Sequence, residues 1–230
     1  MNHRVKTTLV VTPMQEELDS FLHGCARRGF PAEPDVIGRL PVVRLPNLNL
    51  ILARGGTGKA QFAVHTRHLL DMSADWGLVI CAGAAGALAD ELAVGDVVVA
   101  TTTVEHDYHN RFSARPAPRF DGAPDAIEGL RRVSLPSGSF RVRFGTVASG
   151  DEDVVDAARR KTLQLSTAAL AVAWEGAGGA RACAFSDIPF VEIRGVTDTA
   201  DHTAPSDFRA NLAVAMSNIA TLIISWIGHL

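Results

Sequence analysis

Ile188-Pro-Phe-Val-Glu-Ile-Arg-Gly-Val-Thr-Asp-Thr-Ala-Asp201 is the stretch that decides the fold. An apolar run breaks off into Gly195, then into Thr197 and Asp198. That is the pattern of a buried strand delivering a carboxyl group to its C-terminal end. Open α/β sheets bind ligands at the carboxyl ends of their strands, so Asp198 is the first candidate for chemistry. Upstream, Ala171-Val-Ala-Trp-Glu-Gly-Ala-Gly178 sets a second acid, Glu175, after another strand-like run. Val10-Val-Thr-Pro-Met-Gln-Glu-Glu17 sets a third, Glu17, after the first strand of the chain. Three acids in equivalent positions point to one site assembled from distant segments.

Further strands are expected at Thr7–Thr12, Pro41–Leu45, Leu48–Arg54, Gly77–Ala82, Asp96–Thr103, Phe140–Ala148, Ala169–Trp174 and Pro189–Val196. Pro46-Asn47 turns between the second and third of these, which read as a hairpin. Helices are expected from Gln15 to Cys25, Lys59 to Met72, Asp151 to Lys161 and Gly176 to Phe185. A final helix is capped by Ser206 or Asp207 and carries Leu212, Met216, Ile219, Ile223 and Ile227 at helical spacing. Strands alternating with helices predict a single α/β domain over 1–230, with a central mixed sheet covered by helices on both faces. Around 110–138 the strand signals weaken, and Arg115-Pro-Ala-Pro-Arg-Phe-Asp-Gly-Ala-Pro124 reads as a loop-rich insertion.

Apolar residues make up 47% of the chain, ample for a sizeable core. The net charge is −3 with both signs interspersed, which argues against nucleic acid as a partner, since that binding rests on clustered Lys and Arg. Cys25, Cys81 and Cys183 are odd in number and widely spaced, so neither a disulfide framework nor a CxxC metal site is indicated. Buried, reduced thiols fit a cytoplasmic protein. The first residues lead into a strand rather than a signal sequence. The apolar tail segment Ile219–Ile227 falls well short of the ~20 residues of a membrane span.

Gly55-Gly-Thr-Gly-Lys59 matches neither GxGxxG nor GxxxxGK[ST] and reads first as a tight strand-to-helix turn. Gly83-Ala-Ala-Gly86, after a strong strand, offers backbone amides to a ligand pocket, or serves as a plain turn. The acids also have plainer roles: Glu17 and Glu175 suit the start of a helix, and Asp198 suits an Asx turn. Val104-Glu-His-Asp-Tyr-His109 pairs two histidines without a third placed ligand, so no metal and no cofactor are expected.

Taken in order, these segments resemble the purine nucleosidase and nucleoside phosphorylase superfamily, most closely its 5′-methylthioadenosine/S-adenosylhomocysteine nucleosidases. Met14-Gln-Glu-Glu17 is similar to the family's Met-Glu-Glu-Glu, and Gly56-Thr-Gly-Lys59 to its Gly-Ile-Gly-Lys. Gly83-Ala-Ala-Gly86 with Val94-Gly-Asp-Val97 resembles Gly-Ser-Ala-Gly and the following Val-Gly-Asp. Ser149-Gly-Asp151 matches outright, Val172-Ala-Trp-Glu175 stands for Val-Glu-Met-Glu, and Arg194-Gly-Val-Thr-Asp198 for Arg-Ala-Ile-Ser-Asp.

The resemblance implies roles for these positions. Asp198 donates a proton to purine N7 and accepts from a 6-amino group, which needs a pocket that raises its pKa. Glu17 is the base for the attacking water. Glu175 grips the ribose hydroxyls and stabilises an oxocarbenium-like transition state. Thr197 supports the base or Asp198, Trp174 lies beside the sugar, and Phe208 lies near the base and the 5′ substituent. Gly83, Ala84 and Val154 complete the substrate-binding set. The resemblance also implies a homodimer.

Phosphorylases of this fold carry Arg-Val-Gly-Ser where this chain has Cys81-Ala-Gly-Ala84, so both phosphate ligands are missing and water is the expected nucleophile, unless Arg54 reaches in. Ala173, Asp153 and Ala84 depart from the nucleosidase pattern, and Trp174-Glu-Gly-Ala177 is similar to a tag of futalosine hydrolase, another relative. The expected activity is thus hydrolysis of an adenine nucleoside. Phosphorolysis, a futalosine-type hydrolysis and nucleoside binding without turnover are the alternatives.

Overall fold

The computed structural model describes residues 6–72, 75–112, 115–136 and 139–228. Its elements, in chain order, are β1 (Thr7–Thr12), α1 (Gln15–Ala26), β2 (Glu33–Ile37), β3 (Leu40–Leu45), β4 (Leu50–Arg54), α2 (Lys59–Asp71), β5 (Trp76–Ala87), β6 (Val97–Glu105), β7 (Arg119–Asp121), α3 (Pro124–Arg131), β8 (Val142–Ser149), α4 (Ala157–Thr167), β9 (Ala169–Ala173), α5 (Gly176–Phe185), β10 (Phe190–Asp198) and α6 (Ala204–Ile227). The chain is a single α/β domain on a mixed sheet. β1 lies parallel to β4 and β5, β5 parallel to β10, and β6 parallel to β8 and β8 to β9. β10 is antiparallel to β6, and the end of β5 is antiparallel to β9. β5, β10, β6, β8 and β9 therefore close on themselves, and β1-β4-β3-β2 extends from β5 as a wing.

The continuous apolar strands are buried on both faces. Val10, Ile80 and Ile193 pack with α1, α3 and α6, while their neighbours Leu9, Val11, Val79 and Cys81 pack with α2 and α5. Period-2 alternation is invisible in such strands because both faces want apolar side chains.

β5 does not end at Ala82. It runs through Gly83-Ala-Ala-Gly86 to Ala87, so this stretch is strand and not the turn or amide nest expected of it. β10 likewise continues to Asp198. The 110–138 region, expected to be loop-rich, contains β7, paired with β6, and α3, which starts on Pro124 and buries Ala126 and Leu130. Proline in the first turn has its φ preset for a helix and lacks only an N–H that would go unused there. α4 begins at Ala157 instead of Asp151, because the Asp156 carboxylate accepts the Arg159 N–H at 2.8 Å.

α6 starts at Ala204, before the expected caps Ser206 and Asp207. Pro205 presets the first turn, and the Ser206 hydroxyl bonds back to the Thr203 carbonyl. The helix spans 24 residues and is long and apolar enough to cross a membrane by length and composition, which corrects the shorter segment read from the sequence. Its apolar stripe is used inside the fold: Leu212, Met216, Ile219 and Ile223 are buried in the cluster that includes Phe21 of α1 and Ile193 of β10.

Candidate active site

The segments that follow β1, β4, β8 and β9, the end of β10 and the first turns of α6 enclose a cavity of about 440 Å³. Glu17, Ala84, Val154, Trp174, Glu175, Thr197, Asp198 and Phe208 all line it. Gly83 is the one expected residue behind the wall. A Cβ there would sit 2.5 Å from Arg194 Nη1 and 2.9 Å from Glu17 Oε1, so its bare Cα makes room for both. Gly86 does the same for Asp198, whose Oδ1 would lie 2.8 Å from an added Cβ.

Glu17 sits in the first turn of α1 and is only 2% exposed. Its Oε2 accepts the Met14 N–H at 2.8 Å, closing the helix start, and its Oε1 accepts the Ala84 N–H at 2.8 Å. The helix-start role and the site role therefore coexist in one side chain. Burial raises its pKa from 4.5 to about 7, against the pull of the Ala84 amide and Arg194, with Glu175 adding to the rise.

Glu175 immediately precedes α5, and its Oε1 accepts the Gly58 N–H at 3.2 Å. Its Oε2 meets Arg194 Nη2 at 3.3 Å. Burial raises its pKa too, countered by the Arg194 charge and the Gly58 amide. Arg194 is 1% exposed and fully engaged: Nε donates to Glu192 at 2.7 Å and Nη1 to the Ala84 carbonyl at 3.3 Å.

Asp198 owes its aim to a bulge. The β10–β5 register pairs Val196 with Ala85 but Asp198 with Gly86, so Thr197 is the extra residue. A bulge re-aims side chains and strengthens the local twist. The Thr197 hydroxyl lies 2.8 Å from Asp198 Oδ2, and the Ala200 N–H donates to Oδ1 at 2.9 Å, the Asx contact that the sequence allows. Burial pushes the Asp198 pKa up despite these two donors, with Asp207 and Asp201 adding to the rise. Asn211 fixes the bulge from α6 through the Thr197 carbonyl at 2.9 Å.

The glycine loop Gly55–Lys59 holds carboxylates of this chain: Gly58 N–H serves Glu175, and the Lys59 N–H donates to Asp151 at 2.9 Å. Ser149 donates to the Trp174 carbonyl at 2.7 Å and accepts the Ala177 N–H at 2.9 Å, fixing the turn that carries Glu175. In Val104–His109, Glu105 is paired with Lys59 and Arg181, Asp107 with Lys59, and His106 is buried. Among the described residues no group of three or more His, Cys, Asp or Glu is placed to hold a metal ion. Arg54 is exposed and absent from the cavity wall.

Arg194, Glu192 and Ser149 lie within the quoted motifs but carry no assigned task there, and Asn211 lies in none of them. A charged pair two residues apart inside an otherwise apolar strand was the available signal for the first two, since buried charges are almost always paired.

A mixed α/β sheet that gathers three buried acids around one cavity defines the class by fold and site. Residues 7–227 match the family model described as Phosphorylase superfamily, and the chain belongs to that family. It is 29% identical over 195 residues to the 5′-methylthioadenosine/S-adenosylhomocysteine nucleosidase of Shewanella loihica, covering 81% of this chain and 84% of that protein. The same enzyme from Neisseria meningitidis, solved with methylthio-immucillin-A, superposes with a TM-score of 0.83 at 28% identity over 98% of this chain and 100% of that one. Futalosine hydrolase of Helicobacter pylori superposes with a TM-score of 0.84 at 25% identity over 100% of both chains.

Proposed function

We propose that this protein hydrolyses the N-glycosidic bond of an adenine nucleoside of the 5′-methylthioadenosine or S-adenosylhomocysteine type. One observation carries the reading: Glu17, Glu175 and Asp198 converge on one cavity, each nearly buried and each with a raised pKa. Breaking the bond between the ribose C1′ and purine N9 builds positive charge on the sugar and negative charge on the base. Asp198, protonated, delivers its proton to N7 so that the purine leaves neutral. Glu17 takes a proton from water as its oxygen bonds to C1′. A pKa of about 7 gives that base strength at neutral pH. Glu175, steadied by Arg194 and the Gly58 amide, holds the 2′- and 3′-hydroxyls and faces the growing positive charge. Water is favoured over phosphate because the interior guanidinium is committed to Glu192 and Glu175, and a phosphate dianion would meet Glu17.

Asp198→Asn is expected to lower purine release by about 10²-fold or more with the melting temperature nearly unchanged; full activity in this variant would sink the assignment. Chromatography of methylthioadenosine, S-adenosylhomocysteine and futalosine, with and without phosphate, ranks the substrates. Futalosine is included because the chain is equally similar in fold to futalosine hydrolase. Turnover that requires phosphate would move the protein to the phosphorolytic members.

A further inference from the structure

Glu192 is a buried acid that the proposed chemistry leaves unused. It is 0% exposed and lies two residues before Arg194 on β10, on the same face of the strand. Its Oε1 accepts Arg194 Nε at 2.7 Å, and its Oε2 accepts the Thr103 hydroxyl of β6 at 2.5 Å. A Cβ at Gly176 would collide with its carboxyl group, so the start of α5 is shaped around it. Arg194 faces Glu192 on one edge and Glu175 on the other, with Cys81 of β5 at 3.4 Å and Glu17 of α1 close enough to feel its charge. One cation thus serves three carboxyl groups from three elements.

We propose that Glu192 is a positioning residue: it anchors Arg194 from behind and shares its charge, so that Glu175 is held in place while Glu17 keeps its strength as a base. The chemical part of this inference rests on the hydrolytic reading above; the electrostatic part stands without it. A buried guanidinium paired only with Glu175 would exert a stronger field on Glu17 and make it the weaker base. A structural ion pair with no such role would stabilise β10 and leave the titration of Glu17 alone.

The test titrates the glutamate carboxyl carbons by NMR in the full-length protein and records kcat/KM against pH for methylthioadenosine. In Glu192→Gln, which keeps shape and removes charge, the Glu17 midpoint is expected to fall by about half a pH unit or more. The acid limb of kcat/KM should move down with it, and the plateau should drop several-fold. Glu192→Asp, which keeps the charge, should restore the midpoint. If Glu192→Gln does not fold, Glu192→Met removes the charge with an apolar chain of similar length. An unmoved Glu17 midpoint, or activity lost evenly at every pH, overturns the proposal. Absence of turnover in the wild type would refute hydrolysis of this substrate while the titration still decides the role of Glu192.

Discussion

Adding one methyl group to Gly86 is enough to disturb the proposed acid. The new Cβ would lie 2.8 Å from Asp198 Oδ1, well inside contact distance, and the carboxyl is already tied to Thr197 and Ala200. Misplacing a catalytic group by ~1 Å can cost ~10²-fold, so Gly86→Ala is expected to lower kcat/KM about tenfold or more with little change in melting temperature. Gly83→Ala meets a different neighbour, the buried Arg194 at 2.5 Å, and displaces a charged group that has nowhere to go. It should therefore destabilise the fold by about 1–3 kcal/mol in denaturant melts as well as reduce activity. The two glycines are three residues apart on one strand, and comparing their variants separates loss of chemistry from loss of packing.

At the scale of elements, the turn between β9 and α5 depends on Ser149 of β8. Ser149→Ala leaves the Trp174 carbonyl and the Ala177 N–H without their partner, at a cost of about 1–3 kcal/mol in chemical denaturation. It should also raise KM more than it lowers kcat, because Glu175 rides on that turn. An unchanged KM would detach the turn from substrate binding. Elements buried on both faces were readable as apolar runs, which is why β1 and β10, and the first half of β5, were expected nearly where they lie. β2 was missed because it lies at the end of the sheet and buries only Ile37. The strand character of Gly83–Gly86 was hidden because its two glycines signal a turn locally and its two alanines carry little strand signal. Their smallness instead serves Glu17, Arg194 and Asp198, which approach from segments far away in sequence. The three acids were legible by position after strands. Glu192 and Arg194 were not assigned, since their pairing exists only once β10 is buried.

The molecule as a whole carries a measurable cost for its buried acids. Glu17 titrates at about 7 in the fold and near 4.5 when unperturbed. Between those values the folded state holds a proton that the unfolded state has released, so stability falls as pH rises through that window. The contribution is roughly 3 kcal/mol, complete above pH 7 and absent below 4.5. Glu17→Gln removes it. The stability of the variant relative to wild type should therefore grow by about that amount from pH 4.5 to 7.5 in urea titrations; a difference that stays flat with pH would contradict the raised pKa. The wing of the sheet has a consequence of another kind. It ends at β2, Glu33-Pro-Asp-Val-Ile37, whose outer backbone groups face no further strand among the described residues. Pro34 has no N–H to offer an incoming chain, Glu33 is exposed, and Asp35 is paired with Arg44 of β3. Negative charge and proline on an open edge discourage a foreign strand from adding to the ladder. The segment thus makes the open end of one sheet a poor template for a second copy of the same sheet.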